Sequence, residues 1–280
     1  MGIMPELPEV ETVVRGLRRP LVGQQITAVH YEQTKVIRTP SPDEFCARIS
    51  GQVVRSIDRR AKYILCHLED GILAVHLKMT GRLYVADQPA TEASGVDRWI
   101  RIEFQLANGQ HLYFSDARRF GGVYYIHDIA EIAPNLGPEP LEDTFTPAVL
   151  TGRLQGRHRQ IKALLLEQSF IAGVGNIYAD ESLFAAGIHP LRRAETLTKP
   201  EIKRLHTTIR DALNRGIQHE GASVNWYRKP DGTTGESQEH FAVYDREGQP
   251  CLKCGTPIVK IRVAQRGTHF CPHCQPERAS

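Results

Sequence analysis

Val10, Val13, Val14 and Leu17 recur at the i, i+3, i+4, i+7 spacing of one helical face. Pro8 suits the first turn of such a helix, Glu9 and Glu11 complement the positive end of its dipole, and Pro20 with Gly23 predicts its end. From Ile26 to His127 the period changes. Runs rich in β-branched, aromatic and alternating residues predict strands at Ile26–Tyr31, Val53–Ile57, Tyr63–Leu68, Ile72–Leu77, Arg82–Val85, Trp99–Leu106, His111–Ser115 and Gly122–Ile126. Glu69-Asp70-Gly71 and Ala107-Asn108-Gly109 read as hairpin turns. Many short strands with turns between them imply a sandwich or barrel.

Pro134, Gly137, Pro138 and Pro140 then cluster as a hinge. From Thr146 to Glu220 the signals are helical, with amphipathic runs at Ile161–Phe170 and Asn176–Ala186. Thr198-Lys199-Pro200-Glu201 is a capping box that opens a long helix over Lys199–His219. The segment Gly221–Gly235 is polar, contains glycine, lacks a period and is expected to be mobile. The expected units are residues 4–134, a hinge at 135–145, a helical domain at 146–243 and a terminal unit at 244–276.

Hydrophobic residues make up 41% of the 280, enough for real cores. No run reaches the roughly 18 apolar residues that span a bilayer, and the start shows no secretory pattern, so a cytoplasmic protein is expected. A net charge of +3 says little by itself. Basic residues do cluster at Arg15–Arg19, Arg55–Lys62, Arg153–Lys162 and Lys253–Arg266. Each cluster alone reads as a solvated surface.

Four of the six cysteines form two Cys-x-x-Cys pairs, Cys251/Cys254 and Cys271/Cys274, with 16 residues between the pairs. In a reducing compartment such pairs are metal ligands before they are disulfides. Four thiolates at this spacing suit one tetrahedral, structural Zn²⁺. Ile258, Val259, Ile261 and Val263 make the intervening segment a β-hairpin, and a unit this small needs its metal to fold. His269 and His273 are spare donors read as bystanders, and Cys46 and Cys66 as ordinary buried thiols.

Six further motifs stand in order along the chain before the cysteine pairs: PELPEVET at Pro5–Thr12, RRAKY at Arg59–Tyr63, HLKMTG at His76–Gly81, DARRFG at Asp116–Gly121, LGPEPL at Leu136–Leu141 and GVGNIYADESLF at Gly173–Phe184. From Met4 to Gln275 the chain closely resembles the bacterial formamidopyrimidine-DNA glycosylases. That resemblance implies an α+β multidomain fold: an N-terminal β-sandwich with a flanking helix, a helix–two-turn–helix domain and a four-cysteine zinc finger. It also implies activity on oxidised purines in double-stranded damaged DNA, by a monomer that excises the base and cleaves the strand.

The resemblance makes Pro5 the nucleophile. An α-amino group has a pKa near about 8, so more of it is unprotonated at neutral pH than of a lysine. A secondary amine attacking C1′ yields a charged iminium, an electron sink for the eliminations that follow. Glu6 resembles the general acid, Lys62 the lysine beside sugar and phosphate, and Arg266 the arginine that grips the phosphate next to the lesion. Met79, Arg118 and Phe120 correspond to the side chains that fill the gap left by a flipped base. Without the resemblance, Met79 and Phe120 would read as core. Asn176, where Gly173-Val174-Gly175 opens a helix, and His76 correspond to phosphate contacts. Arg119, Arg157, Arg159, Lys162 and Tyr244 are further DNA-contact candidates, and Glu181 resembles a buried organising acid. The segment 221–235 corresponds to the loop that closes over the damaged base.

Two departures stand out. Met1-Gly2-Ile3 precedes Met4, and a proline inside a peptide has no amine, so Met4 is expected to be the start and to be removed. Arg98-Trp99-Ile100-Arg101 stands where many relatives carry a backbone-contacting histidine, so an arginine would have to take over. Rival readings are an oxidised-pyrimidine glycosylase of the endonuclease VIII type, a noncatalytic damaged-DNA-binding protein, and a zinc-ribbon transcription factor. Leu7 disfavours the first, because that type carries glycine at this position. The last leaves the N-terminal pattern unexplained.

Overall fold

The computed structural model describes residues 4–32, 34–88, 97–224 and 226–277. The start-site expectation turns on residues 1–3, which lie outside that set. The described residues form two units. One runs up to Pro134 and also takes in Glu220–Glu236; the other combines Asn135–His219 with the chain from Ser237 onward.

The first unit opens with α1 (Leu7–Leu21). Glu6 is its N-cap and forms a reciprocal capping box with Glu9. The helix ends at Leu21, between Pro20 and Gly23 as expected, with Pro20 inside its last turn. A proline in the last turn removes one backbone bond, and the exit is closed instead by the Val22 N–H on the Arg18 carbonyl at 3.1 Å. There follow β1 (Ile26–Tyr31), β2 (Ile37–Thr39), α2 (Pro42–Ile49), β3 (Ser56–Arg60), β4 (Tyr63–His67), β5 (Ile72–His76), β6 (Gly81–Ala86), β7 (Ile100–Leu106), β8 (His111–Asp116) and β9 (Gly122–Ile126).

These strands form a five-stranded sheet in the order β2-β9-β5-β4-β3 and a four-stranded sheet in the order β1-β7-β8-β6. Ile64, Cys66, Leu73, Val75 and Val123 of the first sheet share one core with Ile26, Leu83, Ile102, Phe104, Leu112 and Phe114 of the second. The Val10, Val13, Val14 and Leu17 stripe of α1 is buried in the same core. The result is a β-sandwich flanked by a helix.

Three local differences from the sequence reading have physical causes. β3 starts at Ser56, not Val53, because Val53 bridges Gln25 and Val54 exchanges bonds with the Gly23–Gln24 turn. β2 is too short to show a period and pairs in parallel with β9. The segment 221–235 carries no helix or strand among its described residues, yet it is anchored: Ala222 bridges Glu236, and the Tyr227 ring joins the sandwich core.

The second unit contains α3 (Pro147–Leu154), α4 (Ile161–Leu165), α5 (Asn176–Ala186), α6 (Lys199–Gln218) and the hairpin β10 (Val259–Val263) with β11 (Arg266–Phe270). Thr198 and Glu201 form the capping box of α6. α4 stops at Leu165, short of Phe170. There the Gln168 side chain takes over the turn, accepting from Gly173 N–H at 2.9 Å and donating to the Val174 carbonyl at 2.8 Å. A small core of Phe184, Val243, Cys251, Ile258 and Cys271 joins α5 to the cysteine-bearing segment.

Candidate functional site

Pro5 is buried, immediately before the α1 N-cap, and Glu6 is 2% exposed. The Glu9 carboxylate accepts from Glu6 N–H at 2.9 Å through one oxygen and from Ala222 N–H at 2.8 Å through the other. One buried carboxylate thus ties the residue after Pro5 to the base of the 220–236 segment. Gly221, at φ +80°, fits against it; a Cβ there would stand 3.0 Å from Glu9 Cγ. Tyr227 completes the anchor, its hydroxyl donating to the Glu220 carbonyl at 3.1 Å. Burial and the nearby Glu9 charge push that phenol's pKa up.

α1 packs against β3 and β4. The turn joining these strands carries Lys62, which is buried, after Ala61 in the left-handed region at φ 55°. His76, at the end of β5, is 6% exposed, and its ring meets Tyr63 edge-on at 4.6 Å. Its Nδ1 accepts from Lys78 N–H at 3.0 Å, which leaves Nε2 as the protonated nitrogen. Burial holds its pKa well below the usual value, with the Lys78 and Lys62 charges adding to the effect.

Met79, Arg118 and Phe120 come together. The Arg118 guanidinium reaches Met79 Sδ at 3.9 Å and lies over the Phe120 ring at 4.9 Å from its centre. Phe120 is 50% exposed, which excludes the core reading. Two segments present these side chains, and Asp116 joins the two. Its fully buried carboxylate accepts from the Thr80 hydroxyl, from Arg118 N–H at 3.1 Å and from Gly121 N–H at 2.7 Å. Arg119 stands exposed at φ 59° in the same loop. Of the two arginines at the histidine departure, Arg101 is buried and donates to the Asp116 carbonyl at 3.0 Å, whereas Arg98 is exposed and stacks on Trp99 at 4.5 Å. Next to the loop opens a cavity of about 200 Å³, lined by Thr80, Arg82, Asp97, Trp99, Ser115, Ala117, Trp226 and Arg228. Thr80 and Ala117 belong to two of the motifs, but nothing in the sequence links them to the distant positions that complete the walls.

In the second unit Arg266 follows a two-residue hairpin turn in which both Ala264 (φ 45°) and Gln265 (φ 62°) are left-handed. The Asn176 amide donates to the Gly267 carbonyl at 2.9 Å, so the α5 N-terminus and the hairpin tip are joined. Lys162, expected on the DNA surface, is instead fully buried. It pairs with Asp180 at 2.6 Å and donates to Thr268 Oγ1 at 2.7 Å. Asp180 in turn accepts from His269 N–H at 2.9 Å. An ammonium with a carboxylate and a hydroxyl around it is satisfied internally and is withdrawn from solvent. Tyr244 is 7% exposed with its ring against His269, while Arg157 and Arg159 are exposed, Arg159 being paired with Glu167. Glu181 accepts three backbone bonds at 2.9 Å, from Ala242, Val243 and Tyr244. Burial raises its pKa against the pull of those three donors.

The Sγ atoms of Cys251, Cys254, Cys271 and Cys274 all lie within 4.8 Å of one another. Cys251–Cys274 is 3.9 Å, and Cys254 lies 3.5 Å from both Cys271 and Cys274. These separations are far beyond a disulfide bond. Sulfurs bound at ~2.3 Å around a tetrahedral ion would stand ~3.8 Å apart, so the residues fit such an ion.

Residues 4–123 match the formamidopyrimidine-DNA glycosylase N-terminal domain, 136–227 the H2TH domain of the same enzymes, and 248–276 the zinc finger found in FPG and IleRS. The chain is 48% identical to a formamidopyrimidine-DNA glycosylase of Symbiobacterium thermophilum over 98% of its own length and 90% of the relative's. It is 47% identical to that of Chloroflexus aurantiacus, over 97% and 98% of the two chains. The crystal structure of MutM (Fpg) from Thermus thermophilus superposes with a TM-score of 0.86 at 41% identity, covering 98% of this chain and all of that one. A point mutant of the Lactococcus lactis Fpg, in complex with Fapy-dG DNA, gives 0.90 at 34% identity, with the same coverage. With matched domains over most of its length and relatives this similar along the whole of it, the chain belongs to the formamidopyrimidine-DNA glycosylase family.

Proposed function

We infer that this protein is a base-excision repair enzyme that removes oxidised purines from duplex DNA and then cleaves the strand at the abasic site. The observation that carries the reading is the assembled Met79–Arg118–Phe120 group. It presents a thioether, a guanidinium and a half-exposed ring on loops that Asp116 holds in place. Such a group suits the space left by an extruded nucleotide: the apolar side chains wedge between bases, and the guanidinium bonds the orphaned partner. The Lactococcus lactis relatives were solved with Fapy-dG DNA and with abasic DNA.

In this reading the Pro5 nitrogen forms a bond to C1′ and the base leaves. Glu6 gives a proton to the opening ring oxygen. The resulting iminium acidifies the neighbouring C2′–H; that proton passes to water as the 3′ phosphate departs, and loss of the C4′ proton to water then expels the 5′ phosphate. Lys62 assists from beside the sugar. His76, Asn176 and Arg266 hold phosphates, and Arg119, Arg157 and Arg159 add exposed charge along the DNA. Tyr244 is held by its backbone for a phosphate contact. The chemistry requires a mature chain that begins at Pro5. The four cysteines hold one structural Zn²⁺ that keeps the Arg266 hairpin folded. The enzyme acts as a monomer on DNA in the cytoplasm. Among the described residues no helix is long and apolar enough to cross a membrane.

Borohydride trapping tests the reading. The protein, expressed from its own start region, is mixed with a duplex carrying 8-oxoguanine opposite cytosine. Reduction of the iminium leaves a stable protein–DNA adduct that peptide mapping locates. An adduct on Pro5 as the first residue is the expected result. Tight binding without an adduct would replace catalysis by noncatalytic damage binding.

A further inference from the structure

Four basic residues of the first unit gather around one loop. Lys62 precedes Tyr63, which pairs with His76 across β4 and β5; the Lys78 N–H bonds the His76 ring; and Arg38 bonds the carbonyl of Gly121, which packs against the His76 carbonyl. Lys78 is half-buried in the left-handed region at φ 51°, one residue before Met79. Arg38 comes from β2, whose parallel pairing with β9 sets Ile37 opposite Val123 and brings Arg38 beside Gly122. Gly122 makes room for the arginine stem, since a Cβ there would lie 2.6 Å from Arg38 Cγ. From this bed the Arg38 Nη2 donates to the Gly121 carbonyl at 2.9 Å and more weakly to those of Phe120 at 3.3 Å and Arg119 at 3.5 Å.

The gap-filling loop is therefore held from both sides. Asp116 takes its N–H groups and Arg38 takes its carbonyls. Among the described residues neither Arg38 nor Lys78 forms an ion pair with a carboxylate. Burial, followed by the Arg38 charge, lowers the Lys78 pKa. Two cations set close together without an acid are mutually repelling, and an anion placed between them would relieve the repulsion. Nε and Nη1 of Arg38 carry further N–H groups outside these bonds, donors that an anion such as a phosphate can accept from.

We propose that Arg38 and Lys78 form a phosphate-binding position for the DNA backbone, continuous with Lys62 and His76 and joined through Arg38 to the loop that carries Arg118 and Phe120. The proposal rests on the DNA-repair reading above. It makes Arg38 a positioning residue as well as a contact. A phosphate seated on its free nitrogens fixes the guanidinium that holds the Arg119–Gly121 carbonyls, so backbone binding and gap filling reinforce each other.

The test is a salt titration of binding by the full zinc-loaded chain to a duplex with a tetrahydrofuran abasic analogue opposite cytosine. Lys78→Met and Arg38→Gln are each expected to lower the slope of log affinity against log salt by about 0.9, the loss of one phosphate contact. Arg48→Gln, which removes an exposed charge paired with Glu44, is expected to leave the slope unchanged. Arg38→Lys keeps the charge but not the planar set of donors that bonds the loop carbonyls and a phosphate at once. It should keep the slope and slow 8-oxoguanine excision, an effect that loss of charge alone would not give. Unchanged slopes in Lys78→Met and Arg38→Gln would overturn the proposal. Failure of the unmodified protein to prefer abasic over undamaged duplex would instead overturn the repair reading beneath it.

Discussion

The Asp116 carboxylate and the Gly121 backbone N–H meet at 2.7 Å, closing the loop that carries Arg118 and Phe120. Asp116→Asn keeps the shape but turns one acceptor into a donor that faces bonded N–H or O–H groups. Leaving a buried donor unsatisfied costs about 1–3 kcal/mol. Denaturant unfolding should show a loss in that range. Single-turnover excision opposite cytosine should fall by roughly a hundredfold, the effect of misplacing the gap-filling side chains. Excision at the unmodified rate would show that the loop needs no such anchor.

Lys162 is expected to matter for stability and not for DNA charge. Lys162→Met strands Asp180, and breaking a buried pair in this way costs about 3–5 kcal/mol. Adding Asp180→Asn should recover part of the loss, because the amide oxygen still accepts from His269 N–H. The salt slope of DNA binding should not change in either variant. A slope reduced by about 0.9 in Lys162→Met would return this lysine to the DNA surface.

Glu9→Gln can satisfy only one of the two N–H groups that Glu9 now accepts, from Glu6 and from Ala222. The expected outcome separates the two activities. Release of 8-oxoguanine should slow, since the 220–236 segment loses its tie to the N-terminus. Cleavage at a preformed abasic site, which has no base to enclose, should be retained. Equal losses in both assays would mean that Glu9 only supports the fold.

The depressed pKa of His76 gives a direction for pH dependence. The folded protein keeps this ring neutral, while the unfolded chain takes up a proton below about pH 6.5. His76 therefore contributes no penalty above that value, and stability falls as pH drops below it. Nitrogen NMR of the imidazole should show Nδ1 bare and Nε2 protonated down to about pH 6, and His76→Gln should flatten the acid limb of the stability curve. A ring that titrates at about 6.5 in the folded protein would remove the argument.

Stripping the metal should disorder the β10–β11 hairpin and, with it, the placement of Arg266. Loss of abasic-DNA binding should track zinc release in a chromophoric chelator assay and return on adding zinc. Binding that persists after full release would show that the hairpin stands without the ion.

Much of this was legible in the chain. The α1 stripe, the Thr198–Glu201 box and most strand positions follow from period and cap chemistry, which act between near neighbours. The cysteine pairs declared themselves by spacing. Positions set by distant contacts were not legible. Nothing near Lys162 announces that Asp180 waits for it in α5, and nothing near Tyr227 announces that its ring is core. Arg38 lies in a three-residue strand whose partner strand is far along the chain, so neither period nor motif marked it. Asp116 had a weak signal, as the first letter of the DARRFG run, but the bonds it accepts belong to the folded loop.

The chain has two tryptophans, Trp99 and Trp226, and both line the same cavity. One belongs to the sandwich and the other to the 220–236 segment, and Trp226 is 49% exposed. All indole emission of this protein therefore originates at one spot, with an arginine stacked on one of the rings. No dye, no engineered probe and no deletion of background tryptophans is needed to watch that spot. A stopped-flow trace of the native chain mixed with damaged duplex reports on that spot alone, and it can be laid directly over the time course of base release.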